Sequence, residues 1–201
     1  MSDLSQLDSD AADISDMARL VAGHGAALNT LMERHSEKLF HYLIRLLENE
    51  ADAVDTAQEA FVKVYLNRAR FNSRQKFSSW LYTIATNLVK DRYRYRTRHP
   101  QVSINAENDA TGRDFAETLS TDAPSPGETL QAKEQAEIVR RAIQSLPEEL
   151  RVPLVLAEYQ ELSHAEISSI LNCSAKAVET RIYRARQKLR SALAPLLQEI
   201  Q

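Results

Sequence analysis

The chain has 201 residues, a net charge of −3 and a hydrophobic fraction of 43%, enough for a modest core. Only 4 glycines and 6 prolines are present, which favours long helices over a turn-rich β architecture. The one cysteine, Cys173, excludes an intrachain disulfide. No apolar run approaches the roughly 20 residues of a membrane span, so we predict a soluble, cytoplasmic protein without membrane insertion.

Charge is distributed in blocks along the chain. Residues 1–60 carry 4 basic and 12 acidic side chains, whereas residues 61–100 carry 10 basic and 1 acidic. Residues 101–135 are acidic again, with 2 basic against 7 acidic side chains, and the remainder is nearly balanced. Alternating acidic and basic blocks suggest separate surfaces for separate partners.

The N-terminal part of the chain predicts one long helix after a disordered start. Residues 1–13 are polar and acidic, so we predict disorder there, followed by a short helix over about residues 14–21. Residues 28–47 place apolar side chains at helical spacing, which predicts an amphipathic helix. His35 and His41 on this helix miss the i, i+4 spacing that puts two ligands on one face, so we predict no metal site.

A third helix is predicted over about residues 51–67. Its inward positions are Ala53, Val54, Ala57, Phe61, Val64 and Tyr65. Its outer face carries acids and an amide, namely Asp52, Asp55, Gln58 and Glu59. This face has two interpretations, an ordinary solvated helix surface or a docking surface for a basic partner.

A basic loop over residues 68–76, with a lone Phe71, leads into a fourth amphipathic helix. We interpret Trp80 on this helix as a core residue. Arginine and tyrosine alternate over residues 92–96, which suits nucleic acid because guanidinium groups pair with phosphate and rings stack on exposed bases. Alternatively, some of these arginines only solubilise the helix end.

The predicted fold class is all-α, with two small helical domains over residues 14–99 and 129–201. Residues 100–128 are rich in Ser, Thr, Asn, Asp and Pro and lack an amphipathic period, so we predict a flexible linker there. In the second domain, Pro147 suits the first position of a helix, and Pro153 predicts a kink within it.

The stretch from Ser163 to Arg190 reads as helix, tight turn, helix. Ser163 with Glu166 makes a capping box, and Asn172 tolerates the left-handed conformation of a helix stop. Ser174 can cap the second helix, whose buried stripe is Val178, Ile182, Ala185 and Leu189. The opposite face is polar and basic, which suits the DNA major groove, although a basic amphipathic helix can also be merely solvated.

Three segments in this order resemble sigma factors of the extracytoplasmic-function group, the small two-domain initiators of bacterial transcription. The family's polymerase-docking helix is similar to NEADAVDTAQEAFVKVY, and its promoter-melting helix is similar to KFSSWLYTIATNLVKDRYR. Its C-terminal domain is similar to residues 146–190, so the resemblance extends over about residues 15–193. It implies a non-enzymatic protein that binds core RNA polymerase through the β′ clamp helices and the β flap. The other implied partners are promoter DNA and an anti-sigma factor.

The resemblance also implies roles for individual residues. The acidic face, Asp52, Asp55, Gln58 and Glu59, would meet the β′ clamp helices. Residues 67–76 resemble the loop that captures a flipped base of the −10 element. The implied −10 contacts are Arg70, Phe71, Asn72, Thr83, Asn87, Lys90, Arg92, Arg94 and Arg96. The implied −35 contacts are Lys176, Glu179, Thr180, Tyr183 and Arg184.

Two positions depart from the family's pattern. Asn172 stands where members often carry glycine or aspartate, and Glu179 stands where lysine or arginine is commoner. Arginine reads guanine whereas glutamate can accept from cytosine N4, so Glu179 could signal a different −35 preference. Alternatively, Glu179 only pairs with Arg186 or another nearby arginine.

Two other classes of protein explain less of the sequence. A free-standing dimeric regulator would need a dimerisation helix, but no heptad repeat is visible. An enzyme with a nucleotide-binding domain would need a Gly-rich phosphate loop, and none of the 4 glycines forms one. We therefore predict no cofactor and no catalytic residues.

Overall fold

A computed structural model describes residues 2–47, 49–98 and 130–194, with side chains described from residue 8 and, in the last range, from residue 134. All regular structure in these ranges is helical, which confirms the all-α prediction. The predicted linker, residues 100–128, lies outside the described residues. The helices in chain order are α1 (Ser2–Val21), α2 (Ala26–Leu47), α3 (Glu50–Leu66), α4 (Phe77–Arg98), α5 (Leu130–Gln144), α6 (Glu148–Glu158), α7 (His164–Leu171) and α8 (Ala175–Ala192).

The prediction of disorder over residues 1–13 is wrong, because α1 includes every one of them that the structure describes. Asp13 and Asp16 are buried, and their carboxylates form ion pairs with Arg34 of α2. Composition alone could not show this, since Asp13 and its cationic partner are separated by 21 residues in sequence. The acidic segment is therefore ordered by long-range charge pairing.

His35 joins the same buried ion-pair group. Its Nε2 atom lies 2.8 Å from the Oδ2 atom of Asp13. Burial, with the nearby charges of Arg34 and Lys38, lowers the pKa of His35 to about 4. The ring is therefore neutral at pH 7 and donates its Nε2 proton to the carboxylate.

Helices α2, α3 and α4 form the core of the first domain by turning their apolar stripes toward one another. Tyr42, Phe61 and Phe77 are among the largest fully or nearly fully buried side chains. The hydroxyl groups of Tyr42 and Thr86 lie 2.7 Å apart across this core, so both buried polar groups are satisfied.

The helix-turn-helix forms as its capping residues predict. The Ser163 hydroxyl accepts from the backbone N–H of Glu166 at 3.3 Å, and the Glu166 carboxylate accepts from the backbone N–H of Ser163 at 2.9 Å. Asn172 ends α7 in the left-handed conformation, with a φ of 49°. Ser174 caps α8 by accepting from the backbone N–H of Ala177 at 3.2 Å. Local sequence chemistry thus accounts for this whole unit.

Two prolines mark helix α6 in the second domain. Pro147 was predicted as the first helical residue, but it is the N-cap of α6, one position before the helix begins at Glu148. Pro153 lies inside α6, which continues to Glu158. Tertiary packing overrides the helix-breaking tendency here, because the middle of α6, including Pro153, is buried.

The two helical domains share one hydrophobic core, in which α6 packs against α2 and α7 packs against α4. Arg151 of α6 is only 6% exposed and links the two domains. Its Nη1 atom donates to the carbonyl of Leu46 and to the hydroxyl of Tyr93, at 2.9 Å each. Its Nη2 atom donates to the carbonyl of Leu146 at 2.9 Å. One buried guanidinium therefore satisfies carbonyls near the ends of α2 and α5, which lack partners within their own helices.

We expect Asp13→Asn to lower the free energy of unfolding by about 2 kcal/mol, because it removes a buried carboxylate that accepts charged hydrogen bonds. Chemical denaturation followed by circular dichroism measures this change. The control, Asp8→Asn, alters an exposed position of the same helix and should change stability by less than about 0.5 kcal/mol. Equal stability of the two variants would contradict the ion-pair assignment.

Candidate nucleic-acid interface

The outer face of α8 carries polar and basic side chains directed away from the core. Lys176, Tyr183 and Arg184 are exposed, and Tyr183 has 62% of its surface accessible. Thr180 is half-buried, and its hydroxyl donates to the carbonyl of Lys176 at 2.8 Å. Because the opposite side of α8 is buried, the turn and its caps orient a rigid basic surface toward solvent.

Glu179 forms an ion pair with Lys176, whose Nζ atom lies 3.0 Å from its Oε2 atom. The alternative that Glu179 pairs with Arg186 is wrong, because Arg186 donates to Glu158 of α6 instead, with an Nε to Oε1 distance of 2.9 Å. An exposed i, i+3 pair is worth at most about 1 kcal/mol. Glu179 can therefore exchange its lysine partner for a base at small cost.

The outer face of α3 presents acidic and amide groups. Asp55 and Glu59 are exposed, and Gln58 is half-buried. Glu59 has one cationic neighbour on its own helix, with the Nζ atom of Lys63 at 3.6 Å. A pair of this kind is weak in water, so the face stays acidic toward a partner.

Asp52 lies on the same helix but is engaged inside the first domain. Its carboxylate accepts from Nη1 of Arg92 at 2.7 Å and also pairs with Arg96. The side chain of Asp52 is 23% exposed. Asp52 therefore joins α3 to α4, and the surface of α3 that is open to a partner begins one turn later, at Asp55.

Three arginines at the end of α4 were assigned to the −10 element. Each of them has a carboxylate partner within the part of the chain that the structure describes. Arg92 and Arg96 share Asp52, and Arg94 pairs with Asp91 at 3.3 Å. The side chain of Arg94 remains 68% exposed. These pairs must exchange for phosphates if the arginines bind DNA, and the small worth of partly exposed pairs permits that exchange.

An exposed apolar patch continues the acidic face of α3 toward its C-terminus. Val62, Tyr65 and Leu66 are 54%, 41% and 68% exposed. The prediction that Tyr65 points inward is therefore wrong, and its ring instead lies beneath the guanidinium of Arg68 at 4.4 Å. The i, i+3, i+4 spacing of three apolar residues on the acidic side of the helix is a signal that could have revealed this patch.

The loop before α4 is built on an aromatic cluster. The ring of Phe71 lies 5.2 Å from that of Trp80 and 6.2 Å from that of Phe77. Trp80 is half-buried, less enclosed than the core position expected for it. Arg70 and Asn72 are exposed on either side of Phe71, so the cluster fixes a loop whose polar groups face solvent.

The residues in the middle of α4 that were assigned to the −10 element differ in their exposure to solvent. Asn87 is exposed, whereas Thr83 and Lys90 are half-buried. The Thr83 hydroxyl donates to the carbonyl of Ser79 at 2.8 Å. Of the tyrosines that follow, Tyr93 turns inward and donates to the carbonyl of Leu46, so it is not placed to stack on a base.

Other kinds of site lack support in the part of the chain that the structure describes. No helix there is long and apolar enough to cross a bilayer. No group of three or more His, Cys, Asp or Glu side chains there is arranged to hold a metal ion.

Comparison with protein families identifies both halves of the chain. Residues 31–99 match the Sigma-70 region 2 family, and residues 136–189 match the Sigma-70 region 4 family. The fold and its exposed surfaces thus define a sigma-70 type transcription initiation factor, which is not an enzyme. The chain belongs to the extracytoplasmic-function group of this family.

Relatives along nearly the whole length support this membership. The RNA polymerase sigma-H factor of Pseudomonas aeruginosa is 34% identical over 90% of this chain and 93% of its own length. The ECF sigma factor SigW of Bacillus subtilis is 35% identical over 87% and 92%. The ECF sigma-E factor of Escherichia coli K12 is 34% identical over 89% and 93%.

Solved structures agree with the fold. CnrH, in complex with the cytosolic domain of CnrY, is similar to 92% of this chain with a TM-score of 0.65 and 25% identity, and 98% of CnrH is covered. The sigma factor RpoE of Bartonella quintana, in complex with the anti-sigma factor NepR, matches 78% of this chain and 89% of its own with a TM-score of 0.60. Its identity is 21%, so it shows the fold alone.

We expect Asp52→Asn and Arg92→Gln each to destabilise the protein by about 1 kcal/mol, with the double variant losing less than the sum, because the two side chains bind each other. Thermal denaturation of the parent, both single variants and the double variant completes this cycle. Asp55→Asn, one turn along the same face, is the matched control and should leave stability nearly unchanged. Strict additivity would show that Asp52 and Arg92 do not interact.

Proposed function

We propose that this sigma factor recognises promoters in two parts, with residues 14–99 reading the −10 element and residues 129–201 reading the −35 element. One observation carries the proposal. A single chain presents an acidic and apolar face on α3 and, in a separate domain, an exposed basic face on a capped recognition helix. The first suits a protein partner and the second suits duplex DNA.

The polymerase-docking surface combines charge with apolar contact. Asp55, Gln58 and Glu59 would meet the β′ clamp helices, and Val62 and Leu66 would extend the contact along the same helix. Charge complementarity steers association, whereas buried apolar side chains supply most of the affinity of protein interfaces. Asp52 would act indirectly, by holding α3 against α4. The second domain would add a contact with the β flap.

The −10 surface would consist of the loop over residues 67–76 and the outer side of α4. Extrusion of a base from duplex DNA costs a few kcal/mol, which a fitted pocket can offset. Arg70 and Asn72 stand exposed beside Phe71, at the place where an extruded base would be held. Thr83, Asn87 and Lys90 would follow the non-template strand, and Arg92, Arg94 and Arg96 would exchange their carboxylates for phosphates.

The −35 surface would be the outer face of α8, with Lys176, Thr180, Tyr183 and Arg184 contacting the duplex. Glu179 lies at the centre of this face. A carboxylate accepts hydrogen bonds and cannot donate them, so at a base edge it selects the N4 amino group of cytosine over the acceptor pair of guanine. We therefore propose that Glu179 makes the −35 preference differ from that of relatives with a basic residue there.

Promoter binding by this protein should depend on polymerase. The net charge of −3 and the acidic first 60 residues oppose tight binding of the free chain to DNA. Run-off transcription with core polymerase and this protein on a genomic DNA library tests the function directly. Discrete start sites absent from reactions with core alone would support it, and no difference from core alone would refute it.

Two further features follow from the class of protein. CnrH, which is 25% identical to this chain, is solved in complex with the cytosolic domain of CnrY, and this supports control of the chain by a bound protein, which we propose is an anti-sigma factor. Bacterial RNA polymerase and promoters share the cytoplasm, so we place the protein there.

We expect Glu179→Arg to shift the preferred −35 sequence from cytosine toward guanine at one position, by about 10-fold or more, because a bidentate contact discriminates bases by about 1–3 kcal/mol. Transcription from a library randomised at the −35 element measures the preference. Affinity for core polymerase, measured in parallel, should not change. An equal loss on every promoter would mean that Glu179 has a structural role only.

We expect Asp55→Arg combined with Glu59→Arg to weaken binding to core polymerase by about 100-fold, because charge reversal replaces attraction by repulsion. Leu66→Asp should weaken binding as well, by removing apolar contact. The control is Glu33→Arg, a charge reversal on the exposed side of α2. Fluorescence anisotropy with labelled protein gives the affinities, and unchanged affinity of the folded double variant would show that the docking surface lies elsewhere.

A further inference from the structure

Helix α2 carries a stripe of basic side chains that has no role in the proposed function. The stripe consists of Arg34, Lys38, His41 and Arg45, whose spacing of i, i+4, i+7 and i+11 places them on one face of the helix. At a rise of about 1.5 Å per residue, the stripe is about 16 Å long. All four side chains line one cavity of about 680 Å³, which is bounded on its other side by residues 159–162 of the second domain.

Basic groups outnumber acidic groups in the lining of this cavity. Lys76, from the loop before α4, adds a further basic side chain, and the acidic side chains are Glu161 and Glu166. Glu166 is already engaged, because its carboxylate accepts from the backbone N–H of Ser163 at 2.9 Å and pairs with Lys76. The lining therefore keeps an excess of positive charge.

The members of the stripe differ in how far carboxylates of the chain neutralise them. The guanidinium of Arg34 pairs with Asp13 and Asp16. Lys38 and Arg45, in contrast, form no ion pair with any side chain that the structure describes. Lys38 is exposed and Arg45 is half-buried. Like charges on one face of a helix repel each other, and an anion bound between them would relieve that repulsion.

The pKa of His35, which also lines the cavity, reflects the positive charge there. Burial, and after it the charges of Arg34 and Lys38, lower this pKa to about 4, against a smaller opposing effect of Asp10. A place that disfavours an added proton favours a negatively charged ligand.

The wall opposite α2 has a defined shape. Glu161 adopts the left-handed conformation, with a φ of 52°, which residues other than glycine rarely use. The backbone N–H of Leu162 donates to the carbonyl of Leu156 at 3.2 Å, and the side chain of Gln160 accepts from the hydroxyl of Tyr82. Small-molecule sites are concave and largely preformed, with volumes of about 300–1,000 Å³, and this cavity has those properties.

We propose that this cavity binds a small molecule that carries two or more phosphate groups. Lys38 and Arg45 would contact the phosphates directly, since a guanidinium binds phosphate in bidentate fashion and an ammonium acts as a point charge. A stripe about 16 Å long suits a chain of phosphates better than a single phosphate. Residues 159–162 close the side opposite α2, which favours a small molecule over a nucleic-acid strand.

The proposal is independent of promoter recognition. None of the individual residues proposed above to contact polymerase, the −10 element or the −35 element lines the cavity. Failure of run-off transcription would therefore leave the phosphate site intact, and failure to bind phosphate would leave the proposed function intact.

Isothermal titration calorimetry of the full-length protein tests the site with inorganic tripolyphosphate, GTP and guanosine. We expect both phosphate-bearing probes to bind with a stoichiometry of one and guanosine not to bind. Tighter binding of GTP than of tripolyphosphate would support a nucleotide as the ligand, and equal binding would support the phosphate chain itself. No binding of either phosphate-bearing probe, or binding of guanosine as tight as that of GTP, would overturn the proposal.

Variants of the stripe separate a specific site from overall charge. Lys38→Gln with Arg45→Gln should weaken tripolyphosphate binding by about 10-fold or more, because it removes two charged hydrogen-bond donors. The matched control, Lys188→Gln with Arg190→Gln, removes the same charge from exposed positions of α8 and should leave the affinity unchanged. Equal affinities of the parent and both double variants, or an equal loss in both, would overturn the proposal.

The single variant Lys38→Gln keeps this test valid if Arg45→Gln impairs folding. The guanidinium of Arg45 lies 4.1 Å from the ring centre of Tyr159, so its loss removes a contact between the domains. Lys38 is exposed, and its replacement should weaken tripolyphosphate binding with an unchanged circular dichroism spectrum. An unchanged affinity of this folded variant would overturn the assignment of Lys38 to the site.

A single-stranded DNA oligonucleotide, added to the complex with tripolyphosphate, tests the alternative that the stripe binds nucleic acid. We expect no displacement, because residues 159–162 close the cavity opposite the stripe. Displacement by the oligonucleotide that is lost in the variant of Lys38 and Arg45 would show that the stripe binds a nucleic-acid strand, and it would overturn the proposal.

Discussion

Burial of helix α4 on two sides is the constraint on which the rest of the first domain depends. Leu81 and Tyr82 are adjacent in sequence and nearly fully buried, which requires neighbours on two faces of the helix. Helices α2, α3 and α7 supply those neighbours. Between Phe77 and Lys90 only Asn87 is exposed, whereas the end of α4 from Arg94 onward is exposed throughout. The buried part of α4 therefore offers DNA few side chains, and most of its open surface lies at the C-terminal end.

Ion pairs connect acidic and basic residues that are distant in sequence, so the opposite charges of this small protein are partly neutralised within the fold. Asp13 and Asp16 form ion pairs with Arg34. Asp52 pairs with Arg92 and Arg96. Glu166 pairs with Lys76. The buried group at Arg34 contributes to the fold, whereas the partly exposed pairs are weak and can be exchanged. The charge blocks therefore not only mark separate surfaces but also neutralise each other within the chain.

Whether a feature could be predicted depends on how far apart in sequence the interacting residues lie. The capping box at Ser163, the left-handed stop at Asn172 and the stripe of α8 depend on residues within a few positions, and all were predictable from sequence. The order at Asp13 and the engagement of Asp52 depend on partners 21 and 40 residues away, which no local pattern contains. Exposure of Tyr65 escaped prediction because an apolar residue at a partner surface obeys the same spacing as one in the core, and only its place on the acidic side of α3 distinguishes it.

Domain packing and promoter recognition place opposite demands on the same side of α4. A side that is polar enough to follow a DNA strand must still accept α7, and the interface meets this demand with polar contacts such as Lys76 to Glu166. Such partly exposed pairs are individually weak in water, so a phosphate can replace the carboxylate partner at small cost. The recognition face of α8 differs, because Tyr183 and Arg184 are already exposed to solvent in the folded chain.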